Sequence, residues 1–305
     1  MGKTRSKNLS VVTPPQRDGV GASRVQVLPG TWSSVLDFLC AQFPSVSETI
    51  WRSRFARELV LDADGNPLAV DSACTCGDSV YYYRELEQEI EIPFYETIVY
   101  QDEHILVADK PHFLPVIPSG KYVQQTLLVR LKKLNCIAEL SPVHRIDKDT
   151  AGLVLFSVNA ATRDAYQALF RNRTVSKTYY AIAPLSKTRQ WPLRYCSRLI
   201  EDEQFFRTRE VAGEANSETH IALIEERGDT GLYQLQPVTG RKHQLRVHLS
   251  SLGIPIEGDA LYPAVTKVAD GDFSQPLQLL AKTLSFIDPV TGEQRFFESR
   301  QMLHV

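Results

Sequence analysis

The chain has 305 residues, 43% of them hydrophobic and 23% charged, with a formal net charge of −2. That length can bury a sizeable core in one large or two modest domains, and the composition is that of an ordinary globular protein rather than a fibrous or disordered one. No apolar run approaches the ~20 residues that span a bilayer, and the N-terminus lacks the apolar core of a signal peptide, so no membrane association and a cytoplasmic location are expected. Five cysteines (Cys40, Cys74, Cys76, Cys136, Cys196) form an odd, scattered set that reads as reduced thiols, and Cys74-x-Cys76 has the wrong spacing for a zinc knuckle.

Taken in chain order, residues 1–22 are polar, contain Pro and Gly and show no hydrophobic period, which predicts a disordered basic tail. Residues 23–86 read as a small α/β unit: a strand near Val25, amphipathic helices at 32–43 and 46–58, and short strands at 59–61 and 80–83. A Ser45-x-x-Glu48 capping box is expected to open the second helix. Residues 85–97 alternate acidic with apolar side chains around a Pro and read as a linker, which puts a domain boundary near residue 87. Beyond it, strand-like runs at 98–100, 104–108, 152–158, 178–183, 219–225, 232–236 and 279–286 are interleaved with helical patterns at 125–134, 161–171 and 243–252. This is not a regular βαβ alternation, so residues 87–305 are expected to form an α+β domain on a mixed, largely antiparallel sheet.

Basic residues fall in three clusters: Lys121, Arg130, Lys132 and Lys133; Arg171, Arg173 and Lys177; and Arg241, Lys242 and Arg246. Acidic residues gather at 85–103 and 201–203, so a basic cleft on a weakly acidic protein is one reading and solvated faces are the other. The densest polar stretch, His144-Arg-Ile-Asp-Lys-Asp-Thr150, runs straight into an apolar strand and places Asp147 at the rim of a sheet. Asp147 and Asp149 could pair on a metal, but Arg145 and Lys148 oppose cation binding. His243 and His248 are five apart on a predicted helix, point to different faces and do not make a zinc pair. Gly258 and Asp259 read as a turn with a buried, hydrogen-bonded carboxylate.

Residues 144–153 resemble the HRLDxxTSGL signature of the RluA-like family of pseudouridine synthases, and further motifs follow the family's order over roughly residues 98–300. Val107-Ala-Asp-Lys-Pro-His-Phe-Leu-Pro-Val-Ile-Pro-Ser-Gly120 resembles NKPxGLxVHP, with Asp109, Phe113 and Ile117 replacing the usual Asn, Gly and His. Lys177-Thr-Tyr-Tyr-Ala181 resembles KxYxA, Thr239 to Leu249 resembles the GRTHQIRVH segment, Gly253 to Tyr262 resembles G-xPIxGDxxY, and Pro289-Val-Thr-Gly-Glu293 resembles a terminal hairpin. Leu280 stands where the family often has His, and Ala151 replaces a common Ser. The resemblance implies a pseudouridine synthase fold acting on ribosomal or transfer RNA, with no metal, no nucleotide or other cofactor, and a monomer as the simplest assembly. It implies Asp147 as catalytic residue, Tyr179 as the aromatic that stacks on the base, Arg246 as the partner of Asp147 and Arg145 as the base-flipping aid. His144, Thr150, Lys177, Arg241 and His243 are expected to contact substrate, His144 by shaping the turn or touching a phosphate. The N-terminal unit resembles a small RNA-binding αL domain first described in a ribosomal protein, with Arg52, Arg54 and Arg57 on its second helix. Two rivals are a non-catalytic RNA-binding factor and a metal-dependent hydrolase built on Asp147 and Asp149.

Overall fold

The structure, a computed structural model, describes residues 14–86, 88–204 and 206–304. The chain divides into two units, Met1–Gln88 and Glu89–Val305. In the first, β1 (Ser23–Gln26), α1 (Val35–Gln42), α2 (Glu48–Ala56), β2 (Val60–Leu61) and β3 (Ser79–Tyr82) build a three-stranded sheet of order β1-β3-β2. Phe38, Leu39, Trp51, Val60 and Val80 are its buried core. Helix α2 is capped by Ser47, whose hydroxyl accepts from Ile50 N, and not by Ser45 as the capping-box spacing suggests. The chain is still turning at Val46, whose N–H reaches back to Phe43 O at 2.9 Å, and Ser47 has the extended geometry of an N-cap.

Of the expected basic tail, residues 1–13 lie outside the described residues. Arg17 and Val20 exchange two backbone hydrogen bonds and Val20 is buried, so 17–20 form a turn packed on the unit. The arginines of α2 and its C-cap are occupied within their own unit. Arg54 is buried over the Trp51 ring, Arg52 pairs with Glu48 at 2.7 Å and Arg57 with Glu85 at 2.5 Å.

The second unit contains β4 (Thr97–Gln101), β5 (Ile105–Lys110), α3 (Leu127–Asn135), β6 (Ser141–Pro142), β7 (Ala151–Ser157), α4 (Arg163–Arg171), β8 (Ser176–Pro184), β9 (Leu193–Glu201) and β10 (Thr208–Val211). They are followed by β11 (Ser217–Arg227), β12 (Thr230–Pro237), α5 (Gln244–Ser251), β13 (Leu279–Ile287) and β14 (Gln294–Glu298). The sheet runs β10-β9-β11-β12-β8-β13-β7-β5-β4, with β14 beside β13 and β6 beside β7. It is the mixed, largely antiparallel sheet expected: every pairing is antiparallel except β13 with β7, which meet in parallel over Leu280↔Ala151 and Ala281↔Gly152.

Strands β5 and β7 are buried along their whole length, which explains why they read as unbroken apolar runs. Alternate residues feed opposite faces. Leu106, Val154 and Phe156 pack with Leu127 and Leu131 of α3, and Val107, Leu153 and Leu155 pack with Tyr166 of α4. Helix α5 lays Leu245 and Leu249 on Ala181, Tyr233 and Leu235 of β8 and β12. The outcome is a rigid double-covered platform whose central strands all deliver residues to one rim.

Candidate active site

Asp147 lies in the turn before β7, closed by the Thr150 N–H donating to the Asp147 carbonyl at 3.2 Å. Two side chains, one at the end of β5 and one just beyond it, hold the turn's backbone. The Lys110 ammonium donates to Lys148 O at 2.9 Å and also to Pro111 O, and His112 Nδ1 lies 2.8 Å from Asp149 O. Lys110 is fully buried, which pushes its pKa down to about 7 against the pull of the Asp149 and Asp147 carboxylates.

The carboxylate of Asp147 is gripped from the other side by α5. Arg246 Nη1 donates to Asp147 Oδ2 at 3.4 Å, while Nε and Nη2 fork onto Asp259 at 2.8 and 2.7 Å. Arg246 is 2% exposed and the Asp259 side chain 0%, whereas Asp147 keeps 29% of its side chain open. Burial works against the charge of Arg246, but Asp259 and then Asp147 outweigh it and its pKa rises. Asp259 is fixed in turn by the Leu261 and Tyr262 backbone N–H groups. His243, left-handed at φ 54° immediately before α5, places Nε2 3.9 Å from Asp147 Oδ1 and Nδ1 2.9 Å from the Tyr262 hydroxyl. It is therefore outside the helix on which the sequence placed it. Tyr179 on β8 is half-buried, and burial together with Asp147 raises its phenol pKa, so the hydroxyl stays protonated.

All nine residues singled out in the sequence line one cleft of about 820 Å³: Asp147, Tyr179, Arg246, Arg145, His144, Thr150, Lys177, Arg241 and His243. Lys148, Arg173 and Lys242 add to its basic wall, and Asp147 is the only acid among the lining residues. The cluster on and before α3 does not reach it. Lys121 pairs with Asp270, Lys133 donates to Gln124, and Arg130 is tied to Ile92 O, Phe94 O and Glu96. Arg171 likewise turns away to Asp164.

The phosphate contact considered for His144 needs correction. Its Nε2 accepts from Leu155 N at 3.1 Å, the ring stacks on Phe170 at 4.4 Å, and burial holds its pKa at about 3. A neutral imidazole spent on the backbone has no charge to offer a phosphate, so His144 shapes the turn. Thr150 is buried beneath the cleft wall, Arg241 is exposed with Nε on Asn216 O, and Lys177 is half-buried with its pKa lowered by burial and by Arg173. Sequence reasoning gave no part in the site to Lys110, His112 and Asp259. The Gly-Asp of the 253–262 motif and the Lys-Pro of the 107–120 motif were the available signals. Among the described residues no three His, Cys, Asp or Glu side chains gather as a metal site, and the Asp149 carboxylate turns to Lys148 at 3.4 Å.

Residues 104–251 match the family described as RNA pseudouridylate synthase. The dual-specificity RNA pseudouridine synthase RluA of Vibrio cholerae serotype O1 is 32% identical over 203 residues, 63% of this chain and 77% of that protein. The chain belongs to the RluA-like family of RNA pseudouridine synthases. Ribosomal large subunit pseudouridine synthase C of the same organism is 35% identical over 170 residues, 54% of this chain and 52% of that protein. The human RNA pseudouridylate synthase domain containing 1 has the same fold, with a TM-score of 0.57 and 24% identity over 70% of this chain and 86% of that one. As a member of the family the chain is an isomerase that converts uridine in RNA to pseudouridine.

Proposed function

We propose that Asp147 is the catalytic residue of this isomerisation, held in place by Arg246, with Tyr179 stacking on the target uracil. The observation that carries this is a single carboxylate, 3.4 Å from a buried guanidinium, in a cleft otherwise lined by basic and neutral groups. The reaction breaks the bond from ribose C1′ to uracil N1, turns the base while it remains bound, joins C1′ to C5, gives up the C5 proton and takes one up at N1. Nothing is oxidised or reduced and no water is consumed. Asp147 serves as nucleophile or as base, and either route uses the ionised carboxylate. Arg246 is suited to that role because its other two nitrogens are locked by Asp259, which leaves Nη1 aimed at Asp147 without any rearrangement.

The target nucleotide must leave its stack, at a cost of a few kcal/mol. Arg145, exposed on the rim two residues before Asp147, fills the vacated place in this reading. Arg173, Lys177 and Arg241 then hold flanking phosphates. The substrate class is structured ribosomal or transfer RNA, supported by relatives whose names specify dual specificity and the large ribosomal subunit. Every group in the site comes from one chain, which supports action as a monomer. Five unpaired cysteines, three of them exposed, suit a reducing cytoplasm, and no helix among the described residues is long and apolar enough to cross a membrane.

The test is release of tritium from ribosomal and transfer RNA carrying tritium at uridine C5, with chelator present, comparing the protein with Asp147→Asn. Release by the unaltered protein alone is expected. Release by both would remove Asp147 from its role, and loss of release with chelator would point to the metal-dependent reading instead.

A further inference from the structure

We infer that His112 is a positioning residue for the catalytic turn, an inference that rests on the reading of Asp147 given above. Strand β5 pairs with β7 from Ile105↔Ser157 to Lys110↔Gly152, and the chain then leaves the ladder at Pro111. His112 is therefore displayed two residues past the end of the ladder, half-buried beside the turn that opens β7. Its Nδ1 meets the carbonyl of Asp149 at 2.8 Å, two residues after Asp147. A carbonyl can only accept, so Nδ1 must carry the proton and the ring is fixed in one tautomer. The bond holds the backbone of the turn while Arg246 holds the carboxylate itself, so the two constraints fix different parts of the Asp147 turn.

Protonation does not switch this contact, because both tautomer and cation keep a donor at Nδ1. The charged groups facing the ring, Lys110 on β5 and Asp149 on the turn, leave the same donor in place. The function of the ring is geometric: it denies the turn the freedom to swing Asp147 off the ribose. Misplacement of a reacting group by ~1 Å can cost about a hundredfold in rate.

The experiment compares His112→Ala, His112→Asn and Asp147→Asn in single-turnover and steady-state tritium release on the full chain. It is paired with 15N NMR of the imidazole in the unaltered protein. His112→Ala is expected to lower kcat by about 10- to 100-fold with KM within about twofold, because the RNA-gripping side chains are untouched. His112→Asn, whose amide Nδ2 can reach the same carbonyl, is expected to recover most of that loss, and the ring is expected as the Nδ1–H tautomer. Unchanged kcat in His112→Ala, an Asn variant as impaired as the Ala variant, or an Nε2–H tautomer would each overturn the inference. An inactive Asp147→Asn beside a fully active His112→Ala would sink only this inference. An active Asp147→Asn would sink the reading of Asp147, with the tautomer still reporting on the hydrogen bond.

Discussion

Arg246 shows why one residue type is needed at that position. Its guanidinium makes a two-pronged contact with Asp259 and still has a nitrogen left for Asp147, which a lysine ammonium on a flexible stem could not reproduce. Removing one partner from a buried ion pair costs roughly 3–5 kcal/mol. Asp259→Asn is therefore expected to destabilise the protein by about 3 kcal/mol in urea unfolding and to lower kcat about tenfold as Arg246 loses its aim. Stability within 0.5 kcal/mol (about the noise expected of a surface change) would refute the buried-pair account. Two histidines add a pH dependence. His144 has a folded pKa of about 3 and His248, buried among Ser197, Ser217 and Thr219, of about 4, both pushed down by burial from 6.5. Below pH 6.5 the unfolded chain takes up protons that the folded chain refuses, so their contribution is complete above 6.5 and is lost as pH falls toward 4. Melting temperature is expected to drop between pH 7.5 and 4.5, with a shallower drop in His248→Gln; an identical slope in that variant would contradict it.

At the scale of elements, the catalytic turn works because β7 begins against a parallel neighbour. Gly152 sits at φ 108°, and a Cβ there would lie 2.3 Å from the carbonyl oxygen of Ala281 on β13. Only glycine permits that approach together with that backbone conformation. Gly152→Ala is expected to cost at least about 3 kcal/mol, the sum of left-handed strain and overpacking, and to give poorly folded protein by circular dichroism. A variant with an unchanged melting temperature would show that β13 and β7 can part at no cost. The buried strands β5 and β7 were readable because both faces are covered and their apolar runs are nearly continuous. Strands β9 and β10 were not expected, because they carry charged residues at frequent intervals, and for β14 only the hairpin turn before it was read.

Over the whole molecule, the net charge of −2 conceals the arrangement that matters. Arg145, Lys148, Arg173, Lys177, Arg241, Lys242 and Arg246 share one cleft with a single carboxylate. RNA binding is therefore expected to weaken steeply with salt, and each phosphate contact on a single strand adds about 0.7 to the slope of log K against log salt concentration. Arg173→Ala should lower the magnitude of that slope by about 0.7, whereas Arg52→Ala, whose arginine pairs with Glu48 in the N-terminal unit, should leave it unchanged. Equal effects of the two variants in filter binding across a salt series would show that the cleft is not the RNA track. Arg145→Ala, in contrast, should reduce turnover with binding largely kept.

What the sequence determined by itself was local and ordered: the polar turn that carries Asp147 and the apolar strand behind it, while Tyr179 and Arg246 were singled out only by the resemblance of their motifs to the family's. Each of these is written in adjacent residues, and periodicity and turn chemistry act over adjacent residues. What only the tertiary structure decided was how these pieces were used. Arg246 alone looked like a surface helix charge and is buried, because Asp259, thirteen residues on, supplies the counter-charge. Lys110 and His112 were given no part in the site and His144 was expected to shape the turn or touch a phosphate, and all three hold backbone atoms, 38, 37 and 11 residues away. Of the three basic clusters, the one around α3 is engaged with partners away from the cleft, Asp270 for Lys121 and the 92–96 segment for Arg130 among them. Burial and long-range pairing decide whether a charged side chain faces solvent, substrate or its own backbone, and neither is a property of a short stretch of chain.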